Sequence, residues 1–153
     1  MPLKFTGDFV VKLSREEVYD FLTDPARFAP LLPEYQGMIF EDPRNFTVKV
    51  NVGVSYIKGT AEVKMVLEQA DRPMLALYKA QGKLPGGGAS VTAGFDLADS
   101  PGGTTVSWTG EAQVFGKLAS LGGGLLEPLA KKNIQKLIDS LRAALGGPAA
   151  SDG

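Results

Sequence analysis

Residue types that commonly do chemistry are thinly supplied in this chain. It holds no His and no Cys, which removes the usual ligands of zinc, copper, haem and iron–sulfur centres, and with them the Ser-His-Asp and Cys-His nucleophilic arrangements. No metal site and no cofactor is expected, carboxylate-bound Mg or Ca being the one metal chemistry left open. Acid–base work would fall to Asp, Glu, Lys or Tyr. The carboxylates Glu62, Glu68, Asp96 and Glu111 alternate with apolar neighbours, so they are expected on the wet face of strands. Tyr78 is the one fair candidate for an ionisable group in an apolar phase. Gly86-Gly87-Gly88 and Gly116-Lys117-Leu118 invite comparison with phosphate-cradling loops, but Glu111 stands where that pattern needs its first Gly and Leu118 where it needs Ser or Thr. The chemistry that remains is apolar binding. Met65, Tyr78, Phe95, Trp108 and Leu125 fall in inward phases, a wall that suits a lipid-like or ring-shaped ligand and equally suits an ordinary core.

These side chains need a scaffold. The chain has 153 residues, 44% hydrophobic and 22% charged, values of an ordinary globular chain and enough for one core. A net charge of −1 provides no field to draw nucleic acid or an anionic membrane. Met1-Pro2-Leu3-Lys4 leads into a strand pattern rather than a signal sequence, so a cytoplasmic location is expected. No apolar run approaches the roughly 20 residues needed to span a bilayer. Residues 146–153, rich in Gly, Ala and Pro, are expected to form a disordered tail without a stable membrane anchor.

Leu3, Phe5, Gly7, Phe9 and Val11 alternate with polar residues, which predicts a first strand over Leu3–Lys12. Ser14-Arg15-Glu16-Glu17 reads as a capping box that opens a short helix carrying Val18, Phe21 and Leu22. Asp24-Pro25 opens a second short helix ending near Pro33. From Tyr35 the period returns to two, broken at Gly and Pro clusters, and six strands fit between the breaks. Their inward rows are Val48, Val50 and Val52; Ile57, Ala61, Val63, Met65 and Leu67; Ala89 to Leu97 by twos; and Val106, Trp108, Ala112 and Val114. In the fifth strand Met74, Ala76 and Tyr78 compete with Leu75 and Leu77.

After Phe115-Gly116 the period becomes helical, and Leu118, Leu121, Leu125 and Leu129, then Ile134, Leu137, Ile138, Leu141 and Leu145, predict one helix over Lys117–Leu145. Such a helix would be about 43 Å long. Gly122-Gly123-Gly124 and Pro128 predict a kink or break in its first part. Together these elements predict an α+β helix-grip domain over residues 1–145: a curved seven-stranded antiparallel sheet wrapped around a long C-terminal helix, with two short helices between the first two strands. A curved sheet and one straight helix need not meet along their whole length, and the gap is a ligand cavity. Its candidate lining is Phe28, Leu31, Tyr35, Val63, Met65, Tyr78, Phe95, Trp108, Leu118, Leu121, Leu125 and Leu129. Arg27, Phe28, Leu31, Leu32 and Tyr35 are expected beside one end of it.

With these segments placed, the chain resembles the carbon monoxide dehydrogenase G-subunit family of the START-like, pollen-allergen-like helix-grip superfamily. The resemblance covers Leu3 to Leu145 and rests on Phe5-Thr6-Gly7, Val18-Tyr19-Asp20-Phe21-Leu22-Thr23-Asp24-Pro25, Leu32-Pro33, Val52-Gly53-Val54 with Gly59, Gly103-Thr104-Thr105, and the stretch Val114-Phe115-Gly116-Lys117-Leu118-Ala119-Ser120-Leu121-Gly122. The chain departs from the family's Pro-Gly-Cys-like stretch at Pro33-Glu34-Tyr35-Gln36-Gly37, and has Gly123-Gly124 where an Arg is usual. The resemblance implies an apolar-ligand protein, holding a quinone or lipid as carrier or assembly accessory of a molybdenum carbon monoxide dehydrogenase-type enzyme. Two rivals stand beside it: a polyketide cyclase- or dehydratase-like enzyme, as some superfamily relatives are, and an assembly factor acting through its surface without a ligand.

Overall fold

The period-two stretches become seven strands because their apolar rows can bury only against a common partner. The computed structural model describes residues 2–54, 57–84 and 86–146. Its strands are β1 (Pro2–Val11), β2 (Tyr35–Asp42), β3 (Asn45–Val54), β4 (Ile57–Asp71), β5 (Leu75–Leu84), β6 (Gly87–Ser100) and β7 (Gly103–Gly116). They pair antiparallel in the order β1-β7-β6-β5-β4-β3-β2. The last six therefore run as one meander, and β1 docks on its final strand. This is the expected α+β helix-grip arrangement. Pro85 of the expected turn before β6, and residues 147–153 of the expected tail, lie outside the described residues.

Two short helices, α1 (Arg15–Leu22) and α2 (Pro25–Phe28), followed by a 3₁₀ turn at Ala29–Leu31, connect β1 to β2. Ser14 caps α1 by accepting from the Glu17 backbone N–H at 3.3 Å, while its hydroxyl donates to the Glu17 carboxylate at 3.0 Å. The carboxylate thus binds the cap hydroxyl instead of the amide that a capping box would give it. Asp24 caps α2 by accepting from Ala26 N–H at 3.1 Å, with Pro25 in the first turn. In β5 the Ala76 and Tyr78 phase faces inward, both side chains being buried, whereas Met74 lies before the strand and is 54% exposed.

The terminal helix is shorter than the expected Lys117–Leu145, and the break expected at the triple glycine falls at its first residue. Leu118 and Leu121 belong to a separate segment containing a 3₁₀ turn at Ala119–Leu121, and the helix α3 runs only over Gly123–Ala144. Its 22 residues span about 33 Å. The break falls at Gly122, whose φ of 82° lies in the left-handed region that glycine enters without a Cβ clash. Pro128 stays inside α3, where it forfeits one backbone hydrogen bond near the start. In the first turn of α3, Leu126 is buried and Leu125 is left 45% exposed.

The packed core gathers at one end of the grip. There the last residues of β1 (Phe9, Val11), α1 (Val18, Leu22), the start of β7 (Val106) and the last turns of α3 (Leu141, Leu145) are almost wholly buried in one cluster. Toward the middle of α3 burial loosens, and Leu129, Ile134, Leu137 and Ile138 are only partly covered. No helix among the described residues is long and apolar enough to cross a membrane.

This asymmetry has an energetic consequence within a single helix. Leu145→Ala, at a fully buried site, is expected to cost about 3 kcal/mol of unfolding free energy, and Ile134→Ala about 1 kcal/mol or less, because Ile134 already borders open space. Urea denaturation of both variants checks this; equal losses would mean that the helix is packed evenly along its length.

Candidate ligand cavity

The inward rows change size across the sheet. In register, one row reads Phe5–Gly110–Ala93–Tyr78, and the next reads Leu3–Ala112–Val91–Ala80–Met65. The central strands β5, β6 and β7 thus present Ala, Gly and Val beneath the middle of α3. Across that trough α3 offers Leu129, Ile134, Leu137 and Ile138, which do not reach the floor. The result is a cavity of about 810 Å³, inside the range of roughly 300–1,000 Å³ typical of small-molecule sites. Its walls are overwhelmingly apolar, with Phe5 and Phe9 on β1, Val48, Val50 and Val52 on β3, and Val63 and Met65 on β4.

Tyr78 and Phe28 stand where the floor meets the packed core. Tyr78 is 1% exposed, stacks on Phe28 at a centroid distance of 5.6 Å, and meets Phe46 edge-on at 6.2 Å. Its hydroxyl donates to the Leu22 carbonyl at 2.6 Å, a group at the C-terminus of α1 that lacks an intrahelical partner. Burial pushes the phenol far above its ordinary pKa. The hydroxyl is therefore a neutral structural donor. Trp108 faces Phe95 on one side in the ladder and Gly7 on the other. A Cβ built on Gly7 would lie 2.7 Å from the indole Cζ2, so the ring occupies the space that any other residue at position 7 would fill.

Polar groups are confined to the rim. Glu34, Asn51, Lys132, Asn133 and Lys136 border the cavity, and all but the half-buried Asn133 are exposed. Glu34 has a φ of 60°, and its carbonyl accepts from the Asn51 N–H at 3.0 Å, tying the loop before β2 to the end of β3.

Residues 7–146 match the family of the carbon monoxide dehydrogenase G-subunit, CoxG. The chain belongs to the CoxG family. A search of curated proteins finds no match. Among solved structures, a conserved protein from Geobacillus kaustophilus is similar with a TM-score of 0.83 at 20% identity, covering 94% of this chain and 95% of that one. The Zhui aromatase/cyclase from Streptomyces sp. R1128 follows the same path with a TM-score of 0.67 at 14% identity, over 95% and 94% of the two chains. Ara h 8.0201 does so with 0.64 at 13% identity, over 95% and 98%. At these identities the likeness concerns the fold alone.

Of the lining expected from the sequence of this CoxG-family protein, Phe28, Val63, Met65, Tyr78, Phe95, Trp108 and Leu129 border the cavity, whereas Leu31, Tyr35, Leu118, Leu121 and Leu125 do not. Leu31 and Tyr35 pack against the buried core instead. Leu118 and Leu121 miss the cavity because they precede the break at Gly122, and Leu125, in the first turn of α3, is left exposed. Of the residues expected at the entrance, Phe28 and Leu32 border the space, while Arg27 pairs with Asp24 at 3.0 Å and lies over the Phe21 ring. The floor of Ala80, Val91, Ala93, Gly110 and Ala112 was missed, as were the rim lysines. Side-chain size along each inward row was the signal for the floor.

Trp108 is the chain's one tryptophan and reports on this wall. Gly7→Ala is expected to displace the indole and to destabilise the CoxG protein by about 1–3 kcal/mol through overpacking. The fluorescence emission maximum should shift and the urea midpoint should fall; an unchanged spectrum and midpoint would show that the ring does not depend on the missing Cβ.

Proposed function

We propose that this CoxG-family protein binds a hydrophobic small molecule, an isoprenoid quinone or a fatty acyl lipid, beneath α3, and serves as carrier or assembly accessory of a molybdenum carbon monoxide dehydrogenase-type enzyme. The observation that carries the reading is the apolar cavity of about 810 Å³ over a floor of small residues. Each roughly 100 Å² of ligand surface buried there contributes about 2.5 kcal/mol. Association costs about 4 kcal/mol or more in lost freedom, so useful affinity needs several such increments. A long chain or fused ring system supplies them, and a small polar metabolite does not. The family name supports the choice of partner enzyme.

The rival reading as a cyclase-like enzyme gains a fold precedent from the Zhui aromatase/cyclase. It loses its sequence candidate for proton transfer, because the Tyr78 hydroxyl is committed to the Leu22 carbonyl and is held neutral by burial. A binding role uses the same wall without asking it to titrate.

The test is mass spectrometry of the untagged protein, intact and after organic extraction, with binding titrations against a quinone and fatty acid panel. A bound apolar molecule in stoichiometric amount, or saturable binding of one panel member, is expected. Ala93→Trp, which fills the floor between Gly110 and Tyr78, should weaken that binding at least about tenfold while the protein stays folded. An empty protein that binds no panel member, or a folded Ala93→Trp protein with unchanged affinity, would refute the reading.

A further inference from the structure

The rim of the cavity is electrically lopsided. Lys132 and Lys136 lie one turn apart on α3, about 6 Å along its axis, and both border the cavity. Helical spacing places them on the same flank as Leu129 and Asn133, so this flank passes from an apolar wall to two ammonium groups. Other charged side chains nearby have partners. Lys131 pairs with Glu127 at 3.8 Å and Lys4 with Glu111 at 3.1 Å, while Asp139, which accepts from Gln135 at 2.8 Å and keeps its charge, does not border the cavity. Among the described residues neither Lys132 nor Lys136 is ion-paired, and of the carboxylates bordering the cavity Glu111 is taken by Lys4, which leaves Glu34 as the counter-charge. One positive charge on the rim is left unbalanced.

We infer that Lys132 and Lys136 receive the anionic head of an amphiphile whose hydrocarbon chain occupies the cavity, so that the ligand class is a long chain ending in a carboxylate or phosphate rather than a neutral quinone. This rests on the reading of the cavity as a ligand site and narrows it. The geometry suits such a molecule from both ends. The floor has no ionisable group able to accept a head group, since Tyr78 is engaged elsewhere, while the rim supplies two long cationic side chains that reach an anion without leaving water. A head group held there forms charge-assisted hydrogen bonds with both ammoniums. Glu34 opposes it and sets a modest size for the gain.

The experiment compares three probes of equal chain length, palmitate, hexadecyl phosphate and methyl palmitate, on the full chain at low and high salt. The acid and the phosphate are expected to bind about three- to tenfold tighter than the ester at low salt, with the difference shrinking as salt rises. The Lys132→Gln/Lys136→Gln double variant should lose the preference and keep its affinity for the ester. Glu34→Gln should enlarge the preference. Binding of the acid alone or the phosphate alone above the ester would identify which head group the lysines take. Equal binding of all three probes by the native chain, or a double variant that weakens acid and ester alike, would overturn the role of the lysines and leave the cavity reading standing. Failure of every probe together with every quinone would remove the cavity reading itself, and this inference with it.

Discussion

A straight helix lying across a curved sheet can touch it closely only where the inward side chains are tall enough to bridge the gap, and here their height is not uniform. Near the C-terminal end of α3, the aliphatic and aromatic residues of β1, α1 and the start of β7 meet Leu141 and Leu145 and exclude solvent. Under the middle of the helix the central strands carry Ala80, Ala93, Gly110 and Ala112, and no residue of α3 is long enough to fill the trough. Close packing at that end leaves the trough under the middle of α3 free to stay open. The cavity is a consequence of that division.

Tyr78 marks the boundary. It is the last large residue in the inward row of β5 before the row falls to Ala80 and Gly82. Its ring completes the aromatic cluster with Phe28 and Phe46, and its hydroxyl satisfies the carbonyl at the end of α1. Short helix, sheet and cavity wall are thus fixed to one another by a single side chain that is apolar toward the ligand space and polar only toward the backbone. A wall with these properties holds an apolar molecule by burial. Discrimination falls to the rim, where Glu34, Asn51, Lys132 and Lys136 meet water.

Much of this was legible in the sequence, because it depended on periodicity. The alternation in Leu3–Lys12 and in the rows from Val48 to Val114 sets which face of each strand is buried, and the meander follows from short Gly- and Pro-rich turns. The resemblance to the CoxG family rests instead on particular motifs, above all the stretch Val114–Gly122. Leucine spacing runs on across Gly122 from Leu118 and Leu121 to Leu125, but the triple glycine breaks the helix there, which leaves the first two outside α3 and Leu125 exposed in its first turn. Alternation also could not separate a packed wall from a cavity wall. The distinction lay in the descent from Tyr78 to Gly82 and from Phe95 through Ala93 to Ala89, which becomes a floor only when the register aligns neighbouring strands. Lys132 and Lys136 take on meaning only once the helix is set over the trough.

The central claim is that the space beside Trp108 admits an apolar ligand. Its most direct test is quenching of that single tryptophan by a dibrominated fatty acid, with free N-acetyltryptophanamide as the reference. A ligand seated beneath α3 gives deep, saturable quenching that levels off near one equivalent. Quenching no stronger than that of the free indole, rising linearly without saturation, would place the ligand outside the cavity and contradict the account.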